Sequence, residues 1–395
     1  MGKNKNNYSR LLPSPNKSFL LLGPRGVGKS TWLRALVQPM LDINLLKSDQ
    51  FMNYQSNPSL LQKQTRSLKP GDWVVIDEVQ RVPELLNEVH NLYESAGLNF
   101  ALTGSSARKL KRANANLLAG RAIRCDMFPL VLGEICDVSR IRFAIDFGTL
   151  PLVYTDPDHA NDTLSTYVET YLKEEIAAEA LTRNLEPFAR FLRVAAQHHG
   201  QLLNVEAVGG NAAVKRTSVD NYFQILEETL LGYRLPALRL GYRAKEAAHS
   251  KFYFFDPGVA RAAAGWLYED LPDAWRGFAF ESLIINEVRA YNSYYKKMRE
   301  FYHYTVTNSF DVDLVIETSK KILNRPASYI GIEIKLSAQW KSTWSDTLHD
   351  LISDKKSRFS RCYGVYLGDE SYDENGVSVL TVTDFYQRLW RGEIF

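Results

Sequence analysis

A chain of 395 residues, 45% of them hydrophobic, carries more apolar surface than one ordinary core buries, so two or three domains are expected. Its formal charge of +3 argues against a general polyanion binder and requires any nucleic-acid surface to be local. Cys125, Cys136 and Cys362 lack metal-type or disulfide-type spacing, read as buried small hydrophobes, and fit a reducing, cytoplasmic setting. No apolar run is long enough to span a bilayer, so no membrane partner is expected.

The Asn/Lys-rich start, Met1 to Asn7, has no apolar core like a signal peptide's and reads as a frayed leader. Phe19 to Leu22 is an apolar strand, followed by Gly23-Pro24-Arg25-Gly26-Val27-Gly28-Lys29-Ser30 and a helical pattern from Thr31 to Met40. A strand, a glycine turn and a helix N-terminus in that order place backbone N–H groups around phosphate oxygens. Lys29 is then expected to reach the β- and γ-phosphates and Ser30 to ligate Mg²⁺. A polar stretch with proline breakers, Ser48 to Pro70, reads as short helices and loops.

Trp73 to Glu78 is a continuous hydrophobic strand ending in an acidic pair, at the end where α/β sheets bind ligands. It looks like a Walker B motif: Asp77 would hold Mg²⁺ through water, and Glu78 would polarise the attacking water. A helix over Pro83 to Tyr93 and a strand at Phe100 to Thr103 follow, ending in Gly104-Ser105-Ser106. Thr103 and the serines could sense the γ-phosphate, or the serines could cap a helix starting at Ala107. Arg108, Lys109, Lys111 and Arg112 on that helix read as a solvated face or a nucleic-acid contact.

Gly23-Pro24-Arg25, Val75 to Gln80 with Pro83, Leu102 to Ser106, Leu118-Ala119-Gly120-Arg121, and Phe128-Pro129-Leu130 with Glu134 resemble the large prokaryotic AAA-type ATPase family. Its members join an AAA domain to a C-terminal domain of unknown function. The resemblance implies ATP and Mg²⁺ as cofactors, a possible homo-oligomer, and Arg121 as an arginine-finger-like or sensor residue. An ordinary surface guanidinium is the alternative for Arg121. Phe147-Gly148-Thr149-Leu150-Pro151 departs from the Gly-Gly pair usual before this proline in the family.

After a joint at Thr155 to Asp158, two amphipathic helices are expected, one carrying Tyr167, Val168, Tyr171, Leu172, Ile176 and Ala180, the other Phe188, Phe191, Leu192 and Ala195. Leu202 to Val208 and Thr217 to Leu226 follow in a helix-turn-helix-like order, capped by Thr217 or Ser218, with a wing around Leu235 to Leu238. This region resembles the family's winged-helix module. Lys215, Arg216 and Asn221 are its candidate DNA contacts, although a protein-contact role is favoured. His198 and His199 read as a helix end cap.

A strand at Lys251 to Phe255, a helix over Trp275 to Tyr291, strands at Phe301 to Val306, Val312 to Ile316 and Tyr329 to Lys335, a helix near Ser345 to Lys356 and a strand at Tyr363 to Leu367 are expected in turn. This order resembles the PD-(D/E)XK, restriction-endonuclease-like core, with Glu281, Asp313, Glu333 and Lys335 in the matching places. Residues two apart on a strand share a face, so Glu333 and Lys335 can both meet Asp313. Asp313 and Glu333 would then hold a divalent ion, and Lys335 would orient water. A solvent-facing pair of alternating charges is the plain alternative. Asp311 is ranked second, as expected to face the other way. Lys296, Lys297 and Lys341, near aromatic rings, could contact phosphates.

The expectation is an α/β chain of three parts: a P-loop AAA-type ATPase domain (1–155), a winged-helix-like helical middle (156–250) and a nuclease-like domain (251–395). Its expected function is Mg²⁺-dependent ATP hydrolysis coupled to a nuclease-like site, with DNA as the expected partner. The alternative is an ATP-dependent switch that binds DNA or an unknown protein partner while the nuclease-like domain is inactive.

Overall fold

Five short segments, β1 (Phe19–Leu22), β2 (Leu41–Asn44), β3 (Trp73–Asp77), β4 (Asn99–Gly104) and β5 (Ile123–Asp126), form one parallel sheet in the order β2-β3-β4-β1-β5. The computed structural model describes residues 8–106, 120–172, 185–241, 248–306, 310–323, 325–354 and 356–395. The central strands are buried almost throughout, as strands covered on both faces must be. Leu22 pairs with Gly104 and Asn44 with Asp77, so the strands finish together at one edge. The crossover after β1 runs to one side of the sheet and that after β4 to the other, which opens the crevice between them. β4 therefore brings Thr103 between the glycine loop and the acidic end of β3.

The first helix, Lys29–Leu36, is shorter than the expected stretch to Met40, because Val37 is already extended and β2 begins at Leu41. Short helices fill Ser48–Ser56 and Leu60–Gln64, and Leu85–Ala96 packs Leu85, Leu86, Val89 and Leu92 on the sheet. The expected helix at Ala107, the basic cluster of Arg108, Lys109, Lys111 and Arg112, the Leu118-Ala119 pair, Ile176, Ala180 and the leader Met1 to Asn7 lie outside the described residues. Cys125 and Cys362 are buried as expected, but Cys136 is exposed, in the left-handed backbone position that ends the helix Leu132–Ile135.

In the middle of the chain, helices Leu185–Gln197 and Arg216–Glu228 pack through Phe188, Phe191, Tyr222 and Phe223, and Val205–Ala212 adds Val208 and Ala212 to the same core. Asn204 caps Val205–Ala212 through Ala207 N, whereas Arg216–Glu228 starts one residue ahead of the expected caps Thr217 and Ser218. A two-stranded antiparallel sheet follows, β6 (Gly232–Leu235) with β7 (Lys251–Phe254). The expected boundary between 250 and 251 falls inside this unit, since β7 pairs with β6 and Phe252 packs on Phe223.

The third part opens with the helix Asp273–Tyr294, then β8 (Phe301–Val306), β9 (Phe310–Ser319) and β10 (Ser328–Lys335) as an antiparallel meander, the helix Ser342–Ser353, and β11 (Phe359–Tyr366) parallel to β10. β12 (Tyr372–Glu374), β13 (Val377–Thr381) and the helix Val382–Trp390 complete a sheet of order β12-β13-β11-β10-β9-β8. The segment expected in the wing runs on from β6 to β8: Ala237 bridges His303, and Leu238 N donates to His303 O at 2.7 Å.

One continuous buried cluster runs from Phe19 in β1 through the aromatic middle to Leu283, Ile284 and Val288 of the helix Asp273–Tyr294 and on to Leu389. That helix is the shared beam of the molecule. Among the described residues no helix is long and apolar enough to cross a membrane.

Candidate functional site

Gly26 and Gly28 of the loop after β1 adopt positive φ, the left-handed region open to glycine, and Gly28 leads directly into the helix Lys29–Leu36. Their amides donate no hydrogen bond among the described residues. Lys29 Nζ is folded into the loop, donating to Gly23 O at 2.7 Å and Pro24 O at 3.1 Å. Ser30 Oγ donates to Asp77 Oδ2 at 2.7 Å, and Thr103 Oγ1 donates to the other oxygen of the same carboxylate. Asp77 thus ties together the ends of β3 and β4 and the first turn of the helix; Thr31 is exposed in that turn.

Glu78 stands in the left-handed region at φ 61°, its amide bonded to Thr103 Oγ1 at 3.0 Å. Its Oε2 accepts from Gln80 Nε2 and from Ser105 Oγ, so two buried neighbours aim the carboxylate. Glycine-loop amides, an ammonium, a hydroxyl beside a carboxylate and an aimed second carboxylate form a donor set that suits a nucleoside triphosphate with Mg²⁺. Gln80 had only a place in a pattern; that it lies two residues after Glu78 was the available signal for its role.

A clamp behind the loop was not expected. Arg10, with a side chain only 7% exposed, donates to Val27 O at 2.8 Å, Phe128 O at 2.6 Å and Glu134 Oε1 at 3.0 Å. Glu134 also accepts from the amides of Leu11 and Val131. Tyr167 OH holds Arg25 O at 2.9 Å. Gly148, at φ 77°, allows the departing loop to close against Asp256, whose Oδ2 accepts from Thr149 N at 2.7 Å. Burial pushes the Asp256 carboxyl up to about 6.

Arg121 does not approach the loop of its own chain. It precedes β5, whose first residue Ile123 pairs with Phe19 at the start of β1, and its Nε meets Glu94 at 2.7 Å. It therefore lies at the amino edge of the sheet, opposite the crevice.

The second site is built on β9, β10 and the helix Asp273–Tyr294. Asp313 accepts from Ile334 N at 2.8 Å and lies 3.6 Å from Lys335 Nζ, and Lys335 also pairs with Glu333. Glu281 reaches this cluster from the helix, where Tyr253 OH donates to it. Sequence reasoning missed Lys251: its buried Nζ sits 3.0 Å from Glu281, 3.4 Å from Asp313 and 3.4 Å from Asp311. A lysine at the head of the aromatic run Phe252 to Phe255 was the one signal. The expectation that Asp311 faces away fails for a simple reason: residues two apart on a strand share a face. A cleft of about 580 Å³ opens here, lined by Arg142, Lys251, Glu281, Asp311, Asp313 and Lys335.

Burial pushes the Glu281 carboxyl up to about 7, and burial together with Asp313 holds Glu333 well above the usual carboxylate range. Burial works against the ammonium groups, but Glu281 with the aspartates outweighs it at Lys251, and Asp313 with Glu333 at Lys335. Among the described residues no three His, Cys, Asp or Glu side chains are placed to hold a metal ion; the expected pair of ligands, Asp313 and Glu333, stands beside Lys335. Ammonium groups occupy the space between the carboxylates instead.

Lys215, Arg216 and Asn221 are exposed, with Arg216 paired to Glu206 at 2.8 Å. His198 Nδ1 meets Val194 O at 2.9 Å, a helix-end contact as expected, while burial drives His199 down to about 3. Lys296 donates to Arg124 O at 2.7 Å, and the Tyr291 ring beside Lys297 is buried against Trp390 and Phe395, so it has no free face to stack on a base. Lys341 lies over the Trp344 ring at 5.5 Å.

Three families match the chain in succession: an AAA domain over residues 15–136, a domain of unknown function (DUF8612) over 139–270, and another (DUF4143) over 276–385. The N-terminal part is thus an AAA-type, ATPase-like domain. An uncharacterized protein of Haemophilus influenzae is 23% identical over 228 residues, 53% of this chain and 57% of that protein, so the match spans little more than half of that relative. An uncharacterized protein of Methanocaldococcus jannaschii is 20% identical over 78% of this chain and 74% of its own length. The solved ORC2 protein of Aeropyrum pernix, in its ADPNP-ADP complexes, is similar at 13% identity and a TM-score of 0.35, covering 69% of this chain and 89% of that one.

Proposed function

We propose that the protein binds and hydrolyses ATP with Mg²⁺ at the loop after β1, and that this activity governs a nuclease-like site in the C-terminal domain. The observation that carries the first half is the convergence of Ser30, Asp77 and Thr103 beside an aimed Glu78. Mg²⁺ would neutralise phosphate charge when bound, held by Ser30 directly and by Asp77 through water. Lys29 leaves the carbonyls of Gly23 and Pro24 to meet the β- and γ-phosphates. Glu78, steadied by Gln80 and Ser105, accepts the proton of the attacking water. Because Arg121 lies at the far edge of its own sheet, an arginine-finger role belongs to a neighbouring copy's nucleotide, which favours a homo-oligomer.

In the C-terminal domain, Glu281, Asp313, Glu333 and Lys335 gathered in one cleft support the nuclease-like reading, with Mg²⁺ or Mn²⁺ and a phosphodiester of DNA as the substrate class. Lys335 would position the water and Asp313 and Glu333 the metal. The pairing of Lys251 with Glu281 and Asp313, and of Lys335 with Asp313 and Glu333, favours a second reading, in which the domain is catalytically silent and ATP switches a surface that binds DNA or a protein. Incubating wild type, Lys29→Ala and Glu333→Ala with labelled DNA and RNA, with and without ATP and Mn²⁺, separates them. Metal-dependent cleavage lost in Glu333→Ala supports the first; ATP-dependent binding without cleavage supports the second. Unchanged ATP hydrolysis by highly purified Lys29→Ala overturns the ATPase assignment.

A further inference from the structure

The lysine at the centre of the C-terminal carboxylates comes from the wrong side of the molecule. Glu281, Asp313 and Glu333 lie within the stretch 276–385, whereas Lys251 lies within 139–270, on β7 of the two-stranded sheet. That sheet is anchored in the middle of the chain: Phe252 packs on Phe223 at 4.7 Å, and Phe254 N donates to His199 Nδ1 at 3.1 Å. Lys251 also forms a bridge with Leu202 through its backbone.

An ammonium has three protons, and here three carboxylates surround it, Glu281, Asp313 and Asp311, at 3.0, 3.4 and 3.4 Å. These are ammonium distances; Mg²⁺ draws its oxygen ligands to about 2.0–2.1 Å. A divalent ion among the same oxygens would stand in the place of Nζ, and two cations cannot share it. The opposite end of the cluster is unfinished: Glu333 is 6% exposed, Oε1 pairs with Lys335, and Oε2 has no hydrogen-bond partner. A buried carboxylate oxygen without a donor is costly and suits a cation's approach.

We infer that Lys251 is an internal counter-ion, supplied by the β6–β7 sheet, that occupies a divalent-cation position among Glu281, Asp313 and Asp311, beside the Asp313–Glu333 pair, and must withdraw before an ion enters there. The inference rests on the nuclease-like reading of that site and adds its regulation. The site with Lys251 in place is its closed state, and movement of the middle segment relative to the helix Asp273–Tyr294 opens it.

The test is direct Mn²⁺ binding, read by electron paramagnetic resonance of free Mn²⁺, so that it does not depend on cleavage. Lys251→Met removes the ammonium and keeps the chain length, and is expected to bind Mn²⁺ roughly tenfold or more tighter than wild type. Lys251→Arg, which retains the charge, shows no such gain, and adding Asp313→Asn to Lys251→Met removes it. A second measurement uses the wild type alone: at saturating Mn²⁺, hydrogen exchange of the 232–235 and 251–254 amides speeds up as the sheet lets go. Equal Mn²⁺ affinity in wild type and folded Lys251→Met, or unchanged exchange, overturns the inference. If wild type binds Mn²⁺ and Asp313→Asn abolishes it while Lys251→Met changes nothing, the metal site stands and the gate falls. If neither folded protein binds Mn²⁺, both fall.

Discussion

Replacing Arg10 with glutamine should weaken nucleotide binding although Arg10 does not line the nucleotide side of the loop. Its guanidinium reaches the loop through one bond, to Val27 O at 2.8 Å, and is anchored by Glu134 at 3.0 Å. A hydrogen bond from a charged group is worth about 1.5–3 kcal/mol. If that bond is what keeps the loop in its phosphate-ready shape, its loss costs ATP affinity by about 10- to 150-fold, since ~1.4 kcal/mol is tenfold. Breaking the buried pair also lowers stability, by about 3–5 kcal/mol for pairs of this kind. The assay is fluorescent-ATP titration alongside thermal unfolding. Glu134 keeps its amide donors Leu11 and Val131 in the variant, so the protein should still fold. Wild-type affinity in Arg10→Gln, with an unchanged melting temperature, would refute the clamp.

Other outcomes follow from buried contacts between the parts. Gly133 leaves no room for a side chain against Trp390 where the helix Val382–Trp390 meets the AAA-type domain, and Glu287 accepts from the amides of Leu132 and Gly133 and from Trp390. Gly133→Ala should therefore destabilise by about 1–3 kcal/mol, read as a lower melting temperature; no change would mean that this interface yields easily. Asp256 folds with its pKa raised from 3.8 to about 6. Its protonated form is favoured in the fold, so its contribution is full below the ordinary carboxylate value and is lost as pH rises through about 6. Melting temperature should fall between pH 4.5 and 6.5 by more in wild type than in Asp256→Asn; parallel profiles would exclude this group as a source.

What could be read from the residues was local. The glycine loop, Lys29, Ser30, Asp77 and Glu78 declare themselves through spacing within a strand and turn, and stretches rich in aromatic or β-branched residues, such as Phe301 to Val306 and Ile330 to Ile334, read as strands whatever surrounds them. β2 and β5 escaped because short strands with alternating polar residues, Leu41–Asn44 and Ile123–Asp126, resemble loops until a neighbour pairs with them. Lys251 and Arg10 escaped for a different reason. A buried charge is recognisable only by its partners, and those lie 30 to 62 and 124 residues away. Asp311 needed no structure, only the period of a strand applied consistently.

The joint between the two halves is also legible only in three dimensions. Glu134 and the Glu287-bound amides of Leu132 and Gly133 share one short helix, so the loop clamp and the beam carrying Glu281 meet there. Physical continuity of this kind supplies a route for coupling; the coupling itself is a matter for measurement.

The most direct test of the central claim is ATP retention and phosphate release by Glu78→Gln. With Lys29, Ser30 and Asp77 intact, the variant should bind ATP as wild type does and release phosphate at least about 100-fold more slowly, the scale of a lost general base. Phosphate release at the wild-type rate would contradict the assignment of this crevice as an ATP-hydrolysing site.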